Sequence, residues 1–156
     1  ILYPEGVSDW ITLNNLIMVN TENEEESLWV MEEFLKSGVS SLVLCQLNKL
    51  PKYVNLRRLT LSTKRSKEEN KSIFLPTGII LSSFDYPISG VDSRWNIEPY
   101  PNQKIFSEDT GFFLEDKWSL VCNKSPIIES SWVVKSKKFL NGRKIVEVSG
   151  NSKKIR

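Results

Sequence analysis

The sequence predicts an α/β domain: a parallel β–α–β–α–β first half, to which the residues after Pro76 add antiparallel strands. Two observations carry this. Strand, helix and strand follow one another within about 30 residues early in the chain, which is the spacing of a parallel crossover unit. After Pro76 the pattern changes to short alternating runs punctuated by Gly, Pro, Ser, Asn and Asp, as hairpins require. No internal repeat or low-complexity linker divides the 156 residues, so residues 1–150 are expected to form one domain, with 151–156 a basic tail. A chain of this length buries roughly 70% of the surface its unfolded form exposes.

The elements follow in order. Leu16-Ile17-Met18-Val19 reads as a short buried strand. Thr21-Glu22-Asn23-Glu24 has capping-box spacing, and acids crowd the turn after it, where the helix dipole favours them. Leu28, Met31 and Leu35, joined by Val30 and Phe34, make the apolar stripe of a helix over 22–37, and Gly38 suits a left-handed stop. Ser41–Leu47 is apolar on both faces, as a central strand covered by helices should be. A second helix over about 53–66 places Leu56, Leu59, Thr60 and Thr63 on one face and Lys52, Arg57, Arg58, Lys64 and Arg65 outward. Ile73-Phe74-Leu75 reads as a third parallel strand ending at Pro76. Antiparallel strands are expected at 78–81, 94–97, 112–114, 118–121, 131–134 and 144–148, with Asn141-Gly142 as a two-residue turn.

Composition excludes several kinds of chemistry. The sequence has no histidine, which removes the commonest general base and metal ligand. Cys45 and Cys122 stand far apart inside apolar runs, so two free buried thiols in a reducing compartment are expected and no cysteine zinc site. Phosphate-cradling glycine loops are missing. Carboxylates such as Asp85, Asp92, Glu98, Glu108, Asp109, Glu115 and Asp116 lie in polar turns, where solvation explains them better than catalysis. No apolar run approaches the about 20 residues of a membrane span, and Ile1–Glu5 has no charged leader before an apolar stretch. The expectation is a cytoplasmic, non-enzymatic protein without a cofactor or metal, acting by binding.

Charge is uneven. Residues 1–33 hold eight acids and no base, leaving 21 bases and 11 acids in the remainder. From Lys135 to Arg156 there are eight bases and one acid. The candidate binding surface is therefore Arg57, Arg58, Lys64 and Arg65 on the second helix, supplemented by Lys135, Lys137, Lys138, Arg143 and Lys144. Core-facing Leu56, Leu59 and Thr63 force the helix bases outward, where an acidic or phosphate partner would relieve their repulsion. The rival expectation is that Glu68 and Glu69, or the acidic first helix, neutralise them within the molecule. Of five tryptophans, Trp29 lies beside the apolar stripe of the first helix and is a candidate interface aromatic.

Several segments together resemble a known family. These are Ser27-Leu28-Trp29-Val30-Met31-Glu32-Glu33-Phe34-Leu35-Lys36-Ser37-Gly38, the strand Ser41–Leu47, Leu56-Arg57-Arg58-Leu59-Thr60-Leu61, and Phe74-Leu75-Pro76. Ser93-Arg94-Trp95-Asn96-Ile97 and Trp132–Lys138 add to them. The set resembles the RecA-like superfamily, in the branch of the SOS cell-division inhibitor SulA and the ImuA-type accessory proteins of mutagenic DNA synthesis. The resemblance implies a RecA-like mixed sheet and an accessory protein of the DNA-damage response. It also implies protein partners: an error-prone polymerase subunit or the tubulin-like division GTPase. A third function, from the basic second half, is binding of single-stranded DNA. The chain lacks a Walker A loop, and Cys45-Gln46-Leu47-Asn48 lacks the acid that orders Mg²⁺ in ATPases of this kind. Leu42-Val43-Leu44 through Leu59-Thr60-Leu61 also has a leucine-rich-repeat look, but its spacing is too short and it never recurs, so it could not stack.

Overall fold

A computed structural model describes residues 4–8, 10–70, 75–83, 88–100, 104–107, 111–114, 117–124, 128–138 and 144–154. The chain is mixed α/β and divides into two compact units, Val19–Val91 and Ile1–Met18 with Asp92–Arg156. Among the described residues no helix is long and apolar enough to cross a membrane.

In the first of these units the order is helix, strand, helix, strand: α2 (Glu24–Ser37), β1 (Leu42–Leu47), α3 (Tyr53–Asn70) and β2 (Thr77–Ser82), the label α1 belonging to Pro4–Ser8. Asn23, not Thr21, caps α2: its Oδ1 accepts from the Glu26 N–H at 2.9 Å. Glu26 in turn accepts from the Glu22 N–H at 2.8 Å. The capping logic was legible but displaced by two residues, because Thr21 instead bonds Ser27 Oγ at 2.6 Å. Gly38 ends α2 at φ 64°, the left-handed conformation expected of it.

β1 and β2 run parallel, Leu44 opposite Ile79 and Cys45 opposite Ile80. The face bearing Val43, Cys45, Leu47 and Ile80 packs against Leu28, Met31 and Leu35 of α2 and Leu59 of α3. Gly78 permits that approach: a Cβ there would stand 2.7 Å from Met31 Cε. α3 buries Leu56, Leu59 and Ser62, the last donating to the Arg58 carbonyl at 2.8 Å.

Four expectations are corrected here. Leu16–Val19 forms no strand; Ile17, Met18 and Val19 are exposed, and strand propensity without a neighbour to pair with does not make a strand. β1 is not central: β2 is its one neighbour among the described residues, and Leu42 and Leu44 on its other face are exposed. The parallel partner of β1 comes after Pro76, where an antiparallel strand was expected; Ile73 and Phe74 lie outside the described residues. α3 runs four residues past the expected 66.

The second unit is antiparallel. β3 (Arg94–Pro99), β6 (Lys117–Lys124), β7 (Ile128–Lys138) and β8 (Lys144–Lys154) form a four-stranded sheet in the order β3-β6-β7-β8. β4 (Lys104–Ser107), which periodicity did not reveal, pairs separately with β5 (Gly111–Leu114). The shared mixed sheet expected from sequence is thus three sheets among the described residues. β7 and β8 pair from Ile128 with Lys154 to Lys138 with Lys144; the Asn141-Gly142 turn lies outside the described residues.

Candidate partner-binding surface on helix α3

α3 starts within a few residues of β1, so its polarity and buried face are set by the sheet it covers. With Leu56, Leu59 and Ser62 turned inward, the opposite stripe is Val54, Arg57, Leu61 and Lys64, at i, i+3, i+7 and i+10. All four are exposed, Val54 at 64% and Leu61 at 54%. The stripe therefore mixes two bases with two aliphatic side chains.

Arg58 lies differently. Its Nη2 contacts Glu32 Oε2 at 2.7 Å, and the other Glu32 oxygen takes Lys36 Nζ at 2.9 Å. Lys36 also reaches Glu33 at 2.9 Å, and these carboxylates hold its ammonium above the ordinary lysine range, Glu32 contributing most. Glu32 is buried, and two cations on its two oxygens are what make that burial tolerable. The acidic first helix thus neutralises one α3 base within the molecule and leaves Arg57 and Lys64 outward.

Between the two helices lies a cleft of about 280 Å³ lined by Glu25, Trp29 and Glu32 from α2, by Lys52 just before α3, and by Asn55 and Arg58 of α3. Trp29 is 57% exposed at its edge. Glu24 ties α2 to the end of β1 by accepting from the Asn48 N–H at 2.9 Å, which fixes the loop leading into α3.

The remaining candidate residues lie on other parts of the chain. Arg65 lies on α3 by backbone position, and Lys137, Lys138 and Lys144 on β7 and β8; their side chains, and Arg143 altogether, lie outside the described residues. Lys135 is half-buried on β7, between Lys117 and Glu147 on the flanking strands. Sequence reading placed Lys52 among the outward bases but missed Glu32 and Asn55 as its neighbours. The i, i+4 spacing of Glu32 and Lys36 was a signal for part of that cluster, but nothing local announces a contact with Arg58.

Burial pushes the Cys45 thiol up, with the Glu24 charge adding to it, so it stays protonated at neutral pH and is a poor nucleophile. Cys122 is buried, and its thiol donates to the Lys124 carbonyl at 3.3 Å. Glu98 accepts from Asn96 at 2.8 Å in an exposed position; Asp85, Glu108, Asp109, Glu115 and Asp116 lie outside the described residues. No group of three or more metal-ligating side chains occurs among the described residues. Compared with known proteins, the chain matches no family, no curated protein and no solved structure.

Proposed function

We propose that this chain is a binding domain that works through protein contacts rather than turnover, with the outer stripe of α3 as its working surface. One observation carries the reading: Val54, Arg57, Leu61 and Lys64 stand exposed along one line of the helix, while the neighbouring Arg58 is satisfied by Glu32. Bare phosphate recognition needs bases alone. Two aliphatic side chains between two bases suit a partner that offers apolar area flanked by carboxylates, in other words an acidic protein surface.

The resemblance described above gives this reading a setting: an accessory factor of the DNA-damage response that assists error-prone synthesis. The β1–α3–β2 crossover is common to all parallel α/β folds, so that setting rests on the motif residues alone. Co-purification from cells with damaged DNA tests it. Recovery of an error-prone polymerase component supports both the binding role and the setting. Recovery of the division GTPase supports the binding role and replaces the polymerase. Recovery of nucleic acid with no protein refutes the proposal.

A further inference from the structure

The four-stranded sheet has a stacking site that the α3 surface does not use. Opposed residues share a face of a sheet, and the register places Trp95, Cys122, Leu120 and Trp132 together. Trp95 and Trp132, on the strands either side of β6, stack with ring centroids 5.0 Å apart and planes 27° apart. Gly150, opposite Trp132, leaves room for that ring: a Cβ there would lie 2.5 Å from Trp132 Cδ1. Trp95 donates its indole N–H to Ser93 Oγ at 3.0 Å, so its one polar group is occupied and its ring held. Yet Trp95 is 45% exposed, and Ile97 on the same face 62%. A pair serving only as core would not leave so much ring in water.

A second observation stands beside the first. At the register shift between Arg94 and Trp95, the Arg94 guanidinium has Nε and Nη1 buried with no acceptor among the described residues. Donors removed from water without an acceptor destabilise a fold unless something outside the chain satisfies them. The charge of the sheet says what that is: nine lysines and arginines lie on its four strands against Glu98, Glu129 and Glu147.

We infer that this sheet binds single-stranded nucleic acid, with bases stacking on the Trp95–Trp132 pair and a phosphate satisfying Arg94. Base stacking on aromatic rings tolerates any sequence, and a basic sheet holds the backbone through counterion release, so the site selects single strands without reading sequence. An acidic protein would answer the charge but not the exposed indole pair.

Titration of intrinsic tryptophan fluorescence with an oligothymidylate of about 12 nucleotides tests this. Quenching is expected, with an affinity that falls as salt rises from about 50 to 200 mM. Trp95→Ala lowers the affinity by about tenfold and leaves the salt slope unchanged, whereas Trp95→Phe restores part of it. Arg94→Met lowers the salt slope by about one phosphate's worth and raises Tm, because it removes two buried donors that lack an acceptor. Trp29→Ala and Arg57→Glu/Lys64→Glu retain oligonucleotide binding, which keeps this test separate from that of α3. Absence of binding at about 50 mM salt overturns the inference. So does equal affinity for Trp95→Ala and wild type, equal affinity for polyglutamate of similar length, or an Arg94→Met variant that loses stability without losing binding.

Discussion

Glu32 is the residue on which the two helices of the β–α–β unit agree. Its carboxylate is buried with Arg58 on one oxygen and Lys36 on the other. Arg58 is itself 56% exposed, so solvent screens the pair and its net worth is modest. A double-mutant cycle with Glu32→Ala and Arg58→Ala is expected to give a coupling of about 1 kcal/mol. Arg58→Ala alone should cost more than Arg57→Ala, whose side chain has no such partner among the described residues. Cys45 makes a pH prediction. Burial raises its pKa in the folded state, so the unfolded chain loses the thiol proton first as pH rises. Its contribution is intact below the ordinary thiol value and is lost as pH climbs towards the folded one. Lys36, also raised, titrates in the same direction at higher pH. Thermal melts between about pH 8 and 10 should show stability falling, and Cys45→Ala should flatten that part of the profile.

At the scale of elements, glycines separate a flexible contact from a rigid one. A methyl at Gly78 meets the end of Met31, which can move aside, while one at Gly150 meets the Ser131 carbonyl and the Trp132 backbone. Gly78→Ala should therefore cost about 1 kcal/mol or less, and Gly150→Ala above about 2 kcal/mol, by denaturant titration. Leu35→Ala, at the centre of the α2 contact with the sheet, should cost about 2–5 kcal/mol. The sequence made α2, β1, the start of α3 and most of the antiparallel strands legible, because each is written in local periodicity. It misplaced what depends on distant partners. Leu16–Val19 has the composition of a strand, but pairing decides, and it pairs with no strand among the described residues. Ile73–Leu75 was expected as the parallel strand and 78–81 as an antiparallel one, and local pattern does not tell which apolar run beside Pro76 pairs with β1. The outward bases of α3 were legible from Leu56 and Leu59; that Glu32 would take Arg58 was not, since the two stand 26 positions apart.

For the whole molecule, the uneven charge is used locally. Glu24, Glu25 and Glu26 crowd the first turn of α2, Glu24 and Glu26 accept backbone N–H groups, and Glu32 takes Arg58. Glu24, Glu26, Glu32 and Glu33 on α2 are thus engaged within their own unit, and Arg57 and Lys64 are left exposed. Arg58 is the wrong residue to reverse in a test of that surface, because a carboxylate there would stand against Glu32. The direct measurement is the affinity of the co-purified protein partner for wild type and for Arg57→Glu/Lys64→Glu, from about 50 to 200 mM salt. The account predicts a loss of about tenfold or more at low salt, shrinking as salt rises, with helix content unchanged. Equal affinities at every salt concentration, in a variant that remains folded, would contradict it.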